Sequence, residues 1–317
     1  NLLVNADGSG YGLFPPQASI LKAEWDSLSV LNKGALFVNS YEQVLENSEQ
    51  LRPGEYFELL LWTIEREESE LLLNTMLRQV TSMYWSFLTL EQRSASAKAL
   101  ESLLWQEAAS SERAASSRKV FLETFSDIAI TPAGIGRLHD VWSGDTSISG
   151  LEFSNKELTD MAAILAIKMP DEALEIIRAQ EASIENPDDK RRFAYLKAAL
   201  SPDESTRDAF FNSLSNEKMR ETEPWVIDAL SYLHHPLRLD SAKKYILPSL
   251  LLLEDIQRTG DIFFPARWTA ANLEPHRSSE AARVVRQFLN DRPGYNKQLR
   301  LKILQAADNL FRSEAIL

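Results

Sequence analysis

Residues 281–289 read Ala-Ala-Arg-Val-Val-Arg-Gln-Phe-Leu, and their pattern decides the fold class. Ala281, Val284, Val285, Phe288 and Leu289 fall at i, i+3, i+4, i+7 and i+8. At 3.6 residues per turn these positions share one face of a helix, whereas a half-buried strand alternates every second residue. Leu158, Met161, Ala162, Leu165 and Ala166 repeat the spacing, and Leu299, Ile303, Ala307 and Leu310 give a similar stripe near the end. Helix-start chemistry coincides with the stripes. Ser154-x-x-Glu157, Ser201-x-x-Glu204 and Thr89-x-x-Gln92 have capping-box spacing, in which two side chains satisfy orphan N–H groups. Thr131-Pro132, Asn186-Pro187 and Ser201-Pro202 put Pro at a first helical position, where its missing donor costs nothing.

The composition agrees. The 317 residues are 44% hydrophobic and 25% charged, with only 11 Gly and 13 Pro to break helices. From residue 17 to 317 the signals are helical throughout, in roughly 14 to 16 helices joined by short connections. So many short helices bury their apolar faces best as stacked pairs. The expected fold is all-α: an irregular HEAT/armadillo-like, superhelical stack of antiparallel helical hairpins, with a compact helical domain as the alternative. No clean repeat period is visible. Residues 143–153, which hold Gly144 and Gly150, are the expected internal boundary.

Residues 1–16 differ. Leu2-Leu3-Val4 and Tyr11-Gly12-Leu13-Phe14 flank Asn5-Ala6-Asp7-Gly8-Ser9-Gly10, whose Asp-Gly and Ser-Gly steps suit a β-hairpin turn. A lone hairpin is marginal in water. The expectation is therefore the end of an upstream β-sandwich, closed by Pro15-Pro16, in a fragment of a longer protein.

Chemistry-bearing motifs are sparse. A formal net charge of −12 repels phosphate backbones, and Lys190-Arg191-Arg192 follows Asp188-Asp189 and reads as a solvated helix face, so no nucleic-acid partner is expected. With no cysteine, disulfides and thiolate metal sites are excluded, and the compartment is left open between cytoplasm and periplasm. No apolar run approaches the roughly 20 residues of a membrane span; Ile246 to Leu253 is interrupted by Pro248 and Ser249.

The four histidines, His139, His234, His235 and His276, show no metal-binding H-E-x-x-H spacing. The adjacent His234 and His235 precede Pro236, and their side chains diverge by about 100° on a helix. They are read as a helix end, where a partly charged imidazole suits the C-terminal dipole. Gly8-Ser9-Gly10-Tyr11-Gly12 is neither a dinucleotide nor a phosphate loop, and there is no G-x-S-x-G elbow. The acidic pairs Glu67-Glu68 and Asp188-Asp189 are read as solvated surface. Trp62, Trp85, Trp105, Trp142, Trp225 and Trp268 are read as core filling, and the Ala- and Ser-rich stretch Glu91 to Lys119 as packing first and partner surface second. No catalytic, substrate-binding or metal-ligating residue is assigned.

The two ends carry a resemblance. Asn5-Ala6-Asp7-Gly8-Ser9-Gly10-Tyr11-Gly12-Leu13-Phe14 resembles the strand-turn-strand that closes the small β-sandwich of the aminopeptidase N family of zinc metallopeptidases. Phe264-Pro265-x-x-Trp268, Val285-x-x-Phe288-Leu289, Pro293-x-Tyr295-Asn296 and Leu299-x-x-Lys302-Ile303-Leu304-Gln305-x-x-Asp308 are similar to its late helices, and Arg52-Pro53-x-Glu55-Tyr56 to a helix opening in the middle. Gly12 departs from the pattern, since many members carry an aromatic there. The resemblance implies a non-catalytic C-terminal helical domain. In that family zinc and its H-E-x-x-H helix belong to an upstream catalytic domain of the same polypeptide, and the helical domain encloses the active-site cavity and gates peptide access. No cofactor is expected in this chain. A free-standing helical scaffold for protein partners is the alternative, and an all-α enzyme with a carboxylate pair is a third, without a supporting motif.

Overall fold

In this computed structural model residues 3–15 and 17–317 are described, and among them there is helix and turn but no strand. Helix makes up 73% of the chain. Several starts follow the local chemistry read from the sequence. Thr89 and Ser154 accept from the amides of Gln92 and Glu157, and each partner side chain returns to the cap amide. Asn186 caps a helix that begins at Pro187. Arg52 N donates to Glu55 Oε2 at 3.0 Å, opening the helix at Pro53. One start moves. Asp203, not Ser201, is the cap before Glu204, because its carboxylate accepts from Thr206 N at 2.8 Å and from the Ser205 and Thr206 hydroxyls, both at 2.6 Å. A charged acceptor outcompetes a hydroxyl there.

The chain divides into two compact units. The first comprises Asn1–Gly134, Ser147–Leu151 and Ala315–Leu317; the second comprises Ile135–Thr146 and Glu152–Glu314. In the first lie α1 (Ala18–Glu24), α2 (Val30–Leu45), α3 (Pro53–Ile64), α4 (Glu70–Ser82), α5 (Leu90–Ala109) and α6 (Ala115–Ile128), with a π-helical turn at Met83–Phe87. Its core joins Trp25, Phe37, Tyr56, Phe57, Tyr84, Phe121 and Phe125. Trp25 meets Phe37 and Trp62 edge-on at 6.2 and 6.1 Å, and the Tyr56 hydroxyl donates to Gln79 Oε1 at 2.6 Å. Aromatic edges are favoured against the negative ring faces, and the buried phenol finds its acceptor.

Helix α7 (Pro132–Ser143) is followed by irregular residues 144–154, where Gly144 and Gly150 take φ of 84° and 75°. The second unit continues with α8 (Asn155–Lys168), α9 (Ala173–Ser183), α10 (Pro187–Leu200), α11 (Glu204–Ser213), α12 (Glu223–Leu233), α13 (Leu239–Ala242), α14 (Ile246–Leu251), α15 (Leu253–Thr259), α16 (Phe264–Leu273), α17 (Ser279–Asn290), α18 (Lys297–Ala306) and α19 (Asp308–Ile316). Trp268 is buried at its heart and donates to Ser249 O at 3.1 Å. The stripe at 281–289 is buried as expected through Ala281, Val285, Phe288 and Leu289.

The expected N-terminal hairpin does not form among the described residues; Asn1, Leu2 and Pro16, on which that expectation partly rests, lie outside them. Residues 4–7 make a turn instead. Side chains take the donors that a strand ladder would use: Asn5 Oδ1 accepts from Gly10 N at 2.7 Å and Asp7 Oδ1 from Ser9 N at 3.2 Å. Gln17 and Gln43 engage Val4 N and Phe14 O at 2.9 and 2.6 Å. Local Asn and Asp acceptors compete with sheet pairing in this way. Tyr11 and Leu13 are left exposed.

Candidate functional site

The densest group of chemistry-bearing side chains lies in the second unit, around the residues that follow α12. His234 ends that helix, as its sequence position suggests, but the expected partial charge is a misreading. The ring is fully buried, and burial, then the His276 ring beside it, hold its pKa well below the ordinary value against the opposing hydrogen bond to Asn272. The network also fixes the tautomers. Asn272 Nδ2 donates to Trp268 O at 2.8 Å, so Asn272 Oδ1 faces His234 Nε2 at 3.0 Å as an acceptor. His234 Nε2 must then carry the hydrogen, and the neutral ring offers Nδ1 as acceptor. His276 Nε2, 2.8 Å from that Nδ1, is therefore the donor. A second proton on His234 would set two N–H groups against each other.

His235 turns elsewhere, as the divergence of adjacent helical side chains requires. Its Nδ1 accepts from Leu237 N at 3.2 Å, capping the short turn Pro236–Arg238. Burial, then the positive charges of Lys168 and Arg238, push its pKa down to about 3. Burial and Lys243 bring His276 to about 4. All three are neutral imidazoles at neutral pH, and they serve as hydrogen-bonding struts.

Next to them, two guanidiniums gather around the end of α10. Arg238 donates through Nη1 to Ala199 O at 2.8 Å and through Nη2 to Leu200 O at 2.9 Å. Arg207 donates through Nη1 to Ser201 O at 2.7 Å and Pro202 O at 2.8 Å. Cations suit the exposed carbonyls of a helix C-terminus. Both side chains also line an open cleft of ≈ 350 Å³.

Other residues singled out in the sequence take varied positions. Glu67 is buried, contrary to the solvated reading: its Oε1 accepts from Ser69 N at 2.7 Å and Glu68 N at 3.1 Å, and Lys33 Nζ sits 3.2 Å from Oε2. Asp188 and Arg191 are exposed and pair with each other, whereas Arg192 reaches Asp228 at 2.8 Å. Among the six tryptophans read as core only Trp268 is fully buried; the other five are half-buried. In the stretch Glu91 to Lys119, α5 packs on α6, and Arg118 Nε donates to Ala108 O at 2.9 Å. His139 lies near Asp140 and edge-on to Trp142.

Glu101 went unnoticed in the sequence. It is buried on α5 and gathers Ile130 N at 2.7 Å and Thr131 N at 2.8 Å on Oε1, while the Thr131 hydroxyl donates to Oε2. Gly134 packs so closely on this carboxylate that a Cβ there would overlap it. A signal existed: Ala97, Glu101, Leu104 and Ala108 share one helical stripe, which places a carboxylate among apolar positions. Arg207 carries the same signal with Phe210, Phe211 and Leu214.

Among the described residues no three His, Asp or Glu side chains converge as a metal-binding group, and no helix is long and apolar enough to cross a membrane. No protein-family model matches this sequence, and no curated protein matches it.

Proposed function

We propose that this chain is the non-catalytic C-terminal helical domain of a zinc-dependent aminopeptidase, acting by enclosing and gating a neighbouring active site. One observation carries most weight: several buried or half-buried ionisable side chains hold backbone. Glu67 and Glu101 gather loop amides, and Arg113, Arg207 and Arg238 gather carbonyls at helix ends. The three buried histidines are neutral struts. Ionised groups used in this way rigidify turns, which suits a wall whose shape does the work. Specificity then arises by excluding what does not fit and by movement of the wall as a body.

Helix packing within each unit supports the stacked arrangement. Helices touch immediate neighbours (α3–α4, α5–α6, α8–α9) and next-but-one neighbours (α4–α6, α10–α12, α16–α18), the pattern that an irregular array of helical hairpins produces. The zinc, its ligands and the peptide-cleaving chemistry belong in this reading to the upstream domain, and no residue here is assigned to the ion. Peptide substrate would meet the helical wall alone.

A free-standing protein-binding scaffold is the second reading. It is favoured by exposed apolar pairs in the second unit, Leu247 with Leu251 and Ile262 with Phe263. The reading frame upstream of Asn1 separates the two. An H-E-x-x-H motif followed by a downstream Glu is the expected finding; a start codon or an unrelated domain would overturn the peptidase reading. Zinc-dependent release of amino acids from aminoacyl chromogenic substrates by this chain alone would overturn its non-catalytic part.

A further inference from the structure

The cleft at the end of α10 holds more positive charge than capping requires. Its lining joins the apolar side chains of Ile167, Pro202 and Leu237 to Arg207 and Arg238. Arg207 is only 7% exposed, yet both its carbonyl bonds leave from Nη1. Nε and Nη2 have no acceptor among the described residues. Those two N–H groups form the side-on edge of the guanidinium, the fork that meets two oxygens of a carboxylate or phosphate at once. Neither nitrogen is among the buried polar atoms left without a partner, so the fork is reached by solvent, and an oxyanion can replace water there.

The carboxylates nearby do not complete it. Asp208 takes the Lys244 ammonium at 2.6 Å and the Tyr245 hydroxyl at 2.5 Å. Asp240 lines the cleft, but its side chain is fully exposed and lies 3.5 Å from Lys243. The local field is positive: burial and then Arg207 press the Arg238 pKa down to about 10, and Lys168 and Arg238 both act on His235. Asp240 lines the cleft and Asp208 lies close enough to Arg207 for its carboxyl to feel the guanidinium, but neither makes a hydrogen bond to the fork.

We propose that this cleft is a binding site for a small oxyanion group, a phosphate or a dicarboxylate. Arg207 is the bidentate anchor through Nε and Nη2, Arg238 supplies the second positive charge, and Ile167 and Leu237 form an apolar wall beside the anion. The site is independent of the peptidase reading and stands whether or not that reading does.

Isothermal titration calorimetry of the intact chain with inorganic phosphate and with succinate, against chloride at matched ionic strength, tests it. Saturable binding of either anion with a Kd below about 10 mM is expected, and whichever binds names the source. Leu237 is exposed and makes no capping bond through its side chain, so Leu237→Glu places a negative charge at the rim without disturbing the Arg bonds. It should weaken binding at least tenfold, by about that factor or more. Arg207→Gln should abolish binding, its helix content checked by circular dichroism; if that variant does not fold, Leu237→Glu decides. Failure of both anions to bind beyond the chloride control, or undiminished binding to Leu237→Glu, would overturn the proposal.

Discussion

Glu101 in the first unit and Arg207 in the second pose one physical problem with two outcomes. Each is an ionised side chain set on an apolar helical stripe, and each is buried against backbone at the end of a neighbouring segment. Both carboxylate oxygens of Glu101 are filled, by two amides and a hydroxyl that order residues 130–134. Arg207 fills one nitrogen and leaves its fork open on a cleft. A completed network rigidifies, whereas an incomplete one in contact with a cleft is poised for a ligand. The contrast widens to the units themselves. All four histidines lie in the second unit, three of them buried, whereas the buried cations of the first are the guanidiniums of Arg93 and Arg118.

Acid should separate the two units most strongly. The folded-state pKa values of His235 and His276 are lowered to about 3 and about 4. In the unfolded chain these rings take up protons near the ordinary 6.5. Their contribution is therefore complete above pH 6.5 and is lost as pH falls below it, since the unfolded state then binds more protons. Each loses about 1.4 kcal/mol per pH unit, roughly 4 kcal/mol together by pH 5, a window that lies mostly above carboxylate titration. Hydrogen exchange between pH 6.5 and 5 should show protection falling in the second unit while the first keeps its own. Equal loss in both would break the comparison.

Glu101→Ala sharpens it from the other side. The change leaves the Ile130 and Thr131 amides buried without acceptors and should cost about 3 kcal/mol by denaturant titration, with no dependence on added phosphate. A loss under 1 kcal/mol, on the order of a surface substitution, would mean that the filled network does not order the segment. The smallest effect is expected of Asp188→Ala. Its pair with Arg191 is solvent-exposed on both sides, and removing it should change stability by less than about 0.5 kcal/mol. A larger change would show that charge pairs in this chain matter irrespective of burial.

How much of this was legible differs by element. The capping boxes at Thr89 and Ser154 are local, three residues from cap to partner, and they appear where the sequence places them. The start near Ser201 moved two residues because Asp203 offered a stronger acceptor within the same turn. The hairpin expected in residues 1–16 rested on glycines that permit a turn, but pairing also needs free backbone donors, and the Asn5 and Asp7 side chains took them. Glu67 was misread because a pair of acids in sequence gives no hint that Lys33 approaches one of them from another helix.

Residue order alone is enough to show that this protein is all-α, where several helices begin, and that no familiar catalytic or metal-binding motif is written in it. Periodicity and capping are properties of a few consecutive residues, so they survive without knowledge of the rest. It takes the folded packing to show that His234 is neutral and tied to His276, that Glu101 anchors the segment before α7, and that Arg207 keeps an open fork. The first two depend on partners 29 to 42 residues away, and all three on burial, which is set by packing that no local window contains.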